Sequence, residues 1–272
     1  MISNSLIVVV IYEINLDDSL TLQSLIRIQT LTPDFPNVLV YDNSFENKYN
    51  EKYSENITYY RHDSANTGVG GAYNYAAKLG NSINKAWLIL FDQDTKINDD
   101  YLKELQSSFN TFPNEKLFCP NVLANNKIIS PAYYFAYRAF SFKELKSGIL
   151  KSLNFTLINS GVVIKLSELE KVGGYDNELA LDYSDHYLFW KYKKRNRNFV
   201  VINCVNLHNL SSNSDYAFEA VYRRFKMYCN STFIYSQKVH SRLPLLWLFF
   251  RTLKLTIKFS TIEFFKFLLF QK

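Results

Sequence analysis

Asp92 and Asp94, one residue apart in Phe91-Asp92-Gln93-Asp94, are the side chains of this chain best placed to do chemistry. Two carboxylates at that spacing can share one divalent cation with a diphosphate. Hard cations such as Mg²⁺ and Mn²⁺ take oxygen ligands and keep phosphate in their shell. A solvated turn carries the same tripeptide, so the surroundings decide. The apolar run 86–90 leads into the pair, and in α/β sheets ligands bind outside the carboxyl ends of the strands.

Other acids stand at similar junctions. Asp42-Asn43-Ser44 closes the apolar run 38–41; its carboxylate could accept from a ribose hydroxyl or a base N–H, or cap a turn. Asn66-Thr67-Gly68-Val69-Gly70-Gly71 leads into a helical segment. Glycines there permit close backbone approach and a helix N-terminus favours phosphate, although a generic strand–helix turn reads the same way. The stretch fits neither the dinucleotide fingerprint nor the P-loop. Asp182 and Asp185 lie three apart at the start of the helical stretch 183–194. Helix capping accounts for one of them, and the other could be a general base beside a metal site. His208 follows the strand-like run 199–204; a lone His is structural, or as a neutral imidazole completes an Asp-anchored Mg²⁺ or Mn²⁺ site.

The elements that must position these residues alternate. Apolar runs 6–11, 38–41, 57–60 and 86–91 are separated by helical segments, notably 16–31 and 71–79. Such alternation predicts a mostly parallel sheet covered on both faces. Further strands are predicted at 117–122, 157–165 and 199–204, with helices at 97–109 and 183–194. Between 125 and 153 the pattern is irregular and aromatic, with Tyr133, Tyr134, Phe135, Tyr137, Phe140 and Phe142. These rings either pack the sheet or form a platform beside a sugar acceptor.

At 272 residues, with 47% apolar side chains, 22 Phe and 20 Tyr, the chain can bury a large core, which excludes wholesale disorder. A net charge of +6 and a pI near 9.0 favour anionic partners. Nucleic acid is the disfavoured one, because no recognised module appears and the positive charge concentrates late. Cys119, Cys204 and Cys229 are odd in number without metal-type spacing, as expected of reduced residues in a cytosolic protein. The opening residues lack a basic stretch and a long apolar one, so they are expected to form the first core strand rather than a secretory signal.

From Pro244 the chain becomes apolar and aromatic, interrupted by Arg251, Lys254, Lys258 and Lys266. At about 100° per residue those four cations fall within a sector of roughly 120°. A spanning helix needs about twenty apolar residues with few charges. The segment 243–272 is therefore expected to be one amphipathic helix in the headgroup layer, its cations toward anionic lipids. The alternative is a helix packed on protein. Upstream, a helix over 215–238 carries Tyr222-Arg223-Arg224-Phe225-Lys226.

Taken in order, the blocks 8–12, 40–44, 66–74, 90–95, 160–176, 182–191 and 207–208 resemble the inverting family 2 glycosyltransferases of GT-A fold, in particular the bacterial rhamnosyltransferases. The ordered set spans about three-quarters of the chain. The resemblance implies an α/β, Rossmann-like GT-A domain over 1–212, a helical extension over 213–242 closing the acceptor side, and the amphipathic tail over 243–272. It implies nucleotide binding by Tyr12, Asp42, Asn66, Gly68 and Asp92, with Mg²⁺ or Mn²⁺ on Asp94 and His208. Asp185 matches the catalytic base, and Asp182, His186, Arg223 and Arg224 fall where acceptor or diphosphate is contacted. Gln93 between the two acids is typical of the rhamnosyl branch. The implied reaction transfers L-rhamnose from dTDP-rhamnose to a lipid-linked saccharide acceptor in surface polysaccharide (O-antigen) assembly. The implied location is cytoplasmic, peripheral on the inner face of the cell membrane. Alternatives are a UDP-hexose or UDP-galactofuranose donor, or a non-catalytic nucleotide-sugar-binding partner. The chain departs from the family pattern at Glu13, where Asn is usual, at Tyr187, where an acid is common, and at Lys191, which lacks the planar fork of Arg.

Overall fold

The computed structural model describes residues 2–208 and 217–270. The first half alternates β1 (Ser5–Ile11), α1 (Leu20–Leu31), β2 (Asn37–Asp42), β3 (Tyr59–His62), α2 (Gly68–Ser82) and β4 (Trp87–Asp92). The four strands run parallel in the order β3-β2-β1-β4. Every residue of β1 is buried, because helices cover both faces. Ile7, Val9 and Ile11 pack with Leu22, Leu25 and Ile28 of α1, while Leu6, Val8 and Val10 pack with Ala72, Tyr73 and Ala76 of α2. A strand buried on both sides reads as a continuous apolar run, which is why these strands are visible in the sequence. The segment 16–31 starts its α-helix late: 16–18 form a short 3₁₀ turn, and Ser19 Oγ then caps α1 by accepting from Leu22 N at 3.3 Å.

The second half holds β5 (Thr95–Lys96), α3 (Tyr101–Thr111), β6 (Leu117–Ala124), β7 (Lys127–Phe135), β8 (Arg138–Phe142), β9 (Gly148–Lys151) and β10 (Phe155–Thr156). It continues through β11 (Val162–Lys165), α4 (Leu166–Lys171), α5 (Ser184–Lys193) and β12 (Asn198–His208). β11 inserts antiparallel between β4 and β6, and β12 runs parallel to β6. The run expected as a strand over 157–165 yields only β11, since Asn159 and Ser160 turn at the end of β4, where Gly161 N donates to Leu90 O at 2.7 Å. The irregular aromatic stretch is the β7–β8 hairpin. Its two-residue tip, Ala136 (φ 48°) and Tyr137 (φ 61°), is left-handed throughout. Asn and Gly are the residues that normally announce such a turn, and neither is present.

At the C-terminus α6 (Phe218–Lys238), α7 (Leu243–Phe259) and α8 (Glu263–Phe270) fold onto one another. The tail is two helices rather than one. Ser260 is left-handed (φ 51°) and Thr261 N closes back on Thr256 O at 3.3 Å, a Schellman-type stop. Lys266 therefore leaves the sector shared by Arg251, Lys254 and Lys258, and pairs with Glu263 at 2.7 Å. Phe225, Cys229, Leu248 and Phe264 form the buried centre of this cluster. Burying one such aromatic contributes about 1.5–3 kcal/mol. The tail thus packs on α6 with one face, while Leu246, Phe249, Phe250, Leu253 and Ile257 of α7 stay exposed. The boundary expected at 212/213, the helix start expected at 215 and the end of the tail at 271–272 lie outside the described residues. Among the described residues no helix is long and apolar enough to cross a membrane. All three cysteines are buried and unpaired; burial pushes the thiols of Cys204 and Cys229 up to about 12, and that of Cys119 well above its ordinary value.

Candidate active site

The parallel register sets the site. Ile11 pairs with Asp42, and Val10 with Asp92, so the acids ending β2 and β4 flank the end of β1. The winding reverses across β1, and the crevice at such a switch point is where open α/β sheets bind ligands. Tyr12, 53% exposed, projects from this edge.

Asp42 lies fully buried. Its Oδ1 accepts from Ser44 N at 2.9 Å, and its Oδ2 from Lys48 N at 2.9 Å and from the Tyr60 hydroxyl. Burial raises the proton affinity of this carboxylate, but the donors of Ser44, Tyr60 and Lys48 outweigh it and hold the group below its ordinary value. Asp42 thus organises the loop 43–48 beside the crevice, and any nucleoside contact through it is proposed as indirect. Asp42→Asn turns an amide N–H toward two donors, so at pH 7 it is expected to cost about 1–3 kcal/mol. A lowered carboxylate contributes stability that is fully present above the unfolded value of about 3.9 and is lost as pH falls through the folded value. Urea melts of both proteins at pH 7 and near pH 3 check this; a gap that fails to narrow in acid contradicts it.

Asn66 (φ 49°) accepts through Oδ1 from Gly68 N at 3.2 Å. Gly68 (φ 75°) is pressed against protein: a Cβ there would fall 2.2 Å from Ala180 O, and Val69 N donates to that carbonyl at 2.9 Å. The close approach expected of a ligand at Gly68 is made by the loop that carries Ala180. Asn66 and Gly68 therefore couple the start of α2 to the segment leading into α5.

Gln93 has a defined task. Its Oε1 accepts from Tyr12 N at 2.7 Å, and its backbone carbonyl accepts from Ser19 Oγ at 2.9 Å. The residue between the two acids thus ties the β4 turn to the β1 loop. Asp92, half-buried, accepts from Tyr73 Oη at 3.2 Å and Ser160 Oγ at 3.3 Å. Asp94 Oδ1 lies 3.5 Å from His208 Nδ1, which also sits 3.4 Å from Ser160 Oγ and 3.4 Å from Thr95 Oγ1. The pairing of His208 with Thr95, between β12 and β5, brings the histidine to the acids. Burial first, then the charge of Asp94, pushes Asp92 up to about 6, with His208 opposing. Burial also raises Asp94, again against His208.

Two neighbouring carboxylates that resist ionisation, with an imidazole beside them, form a donor set whose repulsion a bound cation would relieve. Among the described residues no three His, Cys, Asp or Glu side chains converge into a complete metal cluster. That is compatible with Mg²⁺ or Mn²⁺, which one or two protein groups hold together with phosphate. The residues therefore fit a divalent cation on Asp94 and His208, with Asp92 adjoining.

Asp185 stands in the first turn of α5, behind the left-handed Tyr183 (φ 64°). Its side chain is 21% exposed, and its charge is a minor contributor, behind burial and Asp94, to the raised pKa of Asp92. His186 Nδ1 is engaged by Thr156 Oγ1 at 2.7 Å. Asp182 and Arg224 are engaged with each other in a bidentate pair, one arm at 2.7 Å; contact of either with acceptor or diphosphate is then proposed only on opening of that pair. Arg223 is exposed on α6. The departures from the family pattern have local partners. Glu13 accepts from Phe45 N at 2.8 Å, Tyr187 stacks on Trp190 at 5.5 Å, and Lys191 donates to the carbonyls of Gly173 and Gly174. Thr156 joins the site without any signal in the sequence, and Ser160 and Tyr73, which lie within the blocks 160–176 and 66–74, had no role assigned there, since only the fold brings them to acids and imidazoles distant in the chain.

This arrangement is that of a GT-A glycosyltransferase fold: a curled, mostly parallel sheet with flanking helices and a C-terminal helical tail. The sequence matches no protein-family model and no curated protein. Solved structures are similar in fold. GalNAc-T7 with UDP, GalNAc and Mn²⁺ aligns at TM-score 0.58 and 13% identity over 75% of this chain and 43% of its own. Mannosyltransferase PcManGT from Pyrobaculum calidifontis, in complex with GDP-Man and Mn²⁺, aligns at 0.55 and 13% over 86% and 64%. Residues 1–349 of S. aureus TarS, in complex with UDP-GlcNAc, align at 0.54 and 14% over 84% and 66%. The chain thus spans 43–66% of the length of these three proteins.

Proposed function

We propose that this chain is a metal-dependent, inverting glycosyltransferase that moves a sugar from a nucleoside diphosphate to an acceptor hydroxyl. The observation that carries the reading is the convergence of Asp92, Asp94, His208 and Ser160 at the end of β4. The bound nucleotides of GalNAc-T7, PcManGT and TarS support a nucleotide-sugar donor by analogy of fold. Asp185 takes the acceptor proton as the acceptor oxygen bonds to the anomeric carbon, and the bond from that carbon to the diphosphate oxygen breaks. A divalent cation on Asp94 and His208, when bound, neutralises charge on the diphosphate. Tyr12 at the exposed edge faces the nucleoside.

The donor favoured is dTDP-L-rhamnose, on the strength of Gln93 between the two acids, and the acceptor a lipid-linked saccharide in surface polysaccharide assembly. Release of nucleoside diphosphate from dTDP-rhamnose and a set of UDP-hexoses, with Mn²⁺ or Mg²⁺ and with EDTA, tests the reading. Metal-dependent turnover of dTDP-rhamnose supports it, turnover of a UDP-hexose alone reassigns the sugar, and absence of nucleotide binding to every donor sinks the transferase.

We place the protein at the inner face of the cell membrane, held by the exposed apolar face of α7 and its flanking Arg251, Lys254 and Lys258. Deleting the tail would also strip the core around Phe225 and Cys229, so the cleaner variant is Leu246→Ser/Phe249→Ser/Leu253→Ser. Binding to phosphatidylglycerol vesicles is expected to weaken by about tenfold or more, since each change removes buried apolar area. Undiminished sedimentation with the vesicles would refute the anchor.

A further inference from the structure

Asp182 and His186 stand in the wall of a pocket of about 550 Å³. Its walls come from the β7–β8 hairpin tip, the start of α5, α6 and α7. Three cations line it: Arg138, Arg251 and Lys254. Among the described residues none of the three pairs with a carboxylate. The acid in the wall, Asp182, is already taken by Arg224. Uncompensated positive charge gathered in one concavity favours an anion.

The geometry narrows the anion. The Arg138 guanidinium lies 4.7 Å from the Trp247 ring centroid, and that of Arg251 lies 4.1 Å from the Tyr228 centroid. Stacking occupies a guanidinium's face and leaves its in-plane N–H donors for oxygen, the geometry that suits phosphate. The tip is held in place as well. Trp247 Nε1 donates to Ala136 O at 2.7 Å, where Ala136 and Tyr137 are both left-handed. Non-glycine residues kept in that region persist only where their surroundings hold them, and they cluster at ligand clamps. The wall also presents Trp247 and Phe250, and Phe250 continues into the exposed apolar face of α7 through Leu246, Leu253 and Ile257.

We propose that this pocket binds a phosphate or diphosphate ester carrying an apolar chain. The phosphate oxygens sit on Arg138, Arg251 and Lys254, and the chain runs over Phe250 along α7. Only the further step, that this ester is the acceptor whose hydroxyl reaches Asp185 next to His186, rests on the transferase reading.

Titration of the full chain with farnesyl diphosphate, pyrophosphate and farnesol, in saturating UDP or dTDP to fill the donor crevice, tests it. Farnesyl diphosphate is expected to bind at least about tenfold tighter than either fragment, because both ends of the site are then used. Lys254→Glu, at an exposed position with no ion-pair partner, should weaken it by about tenfold or more at an unchanged melting temperature. Arg138→Gln/Arg251→Gln should remove it. Farnesol binding as tightly as its diphosphate would overturn the proposal, and so would an unaltered Lys254→Glu variant. Lys254→Glu binding lost from phosphatidylglycerol vesicles but kept for the soluble ester would assign the cations to a bilayer surface and overturn the pocket. Ester binding without any nucleoside diphosphate binding would sink the transferase reading and leave the pocket standing; the reverse would sink the pocket alone.

Discussion

Asp185→Asn is expected to lower turnover by about 10²–10⁴-fold while leaving nucleoside diphosphate affinity nearly unchanged. The range is what a positioned general base contributes. The side chain suits the substitution: Asp185 Oδ1 accepts from the backbone N–H of His186 at 2.6 Å, and an Asn carbonyl can keep that bond. What the amide loses is the capacity to take a proton. Steady-state rates with the preferred donor, set beside calorimetric titration of the nucleotide, separate the two effects. Full activity in the variant would remove Asp185 as the base. The neighbouring acid, Asp182, would need Arg224 to release it before it could take over.

Asp94→Ala should produce the opposite pattern. Nucleoside diphosphate affinity measured with Mn²⁺ is expected to fall by about 100-fold, because neutralisation of a phosphate by a cation is worth several kcal/mol. Affinity in EDTA should barely move. Wild type and variant would then bind nucleotide alike without metal and differ only with it. The loss should occur without unfolding, since Asp94 is 37% exposed and stands outside the buried core. A variant that kept its metal-dependent affinity would move the cation away from Asp94 and His208.

The core of the first half is legible because its strands are buried on both faces. The apolar runs ending at Ile11, Tyr41 and Phe91 read as sheet interior, and the acids that close them mark the carboxyl edge. The third strand is offset, at Tyr59–His62 rather than 57–60, because at the sheet edge its burial is partial and its pattern weaker. The hairpin between Lys127 and Phe142 escaped for a different reason. Its turn is made by Ala136 and Tyr137, which carry no turn signature, so the strands on either side had no visible boundary. The tail misled through periodicity: cation spacing at 100° per residue continued across Ser260, where the backbone stops.

The sequence by itself determined which acids could do chemistry, that a parallel sheet would hold them, and that an amphipathic tail would follow. Those properties rest on local patterns, namely apolar runs, periodicity and residue type, that survive without knowledge of contacts. Tertiary structure alone decided which of those acids are free to act. Asp42 is enclosed by Ser44, Lys48 and Tyr60, and Asp182 by Arg224, whereas His208 meets Asp94 across 114 positions of chain because β12 pairs with β5. A side chain's availability is set by whatever the fold brings against it, and those partners lie too far along the chain for spacing to reveal.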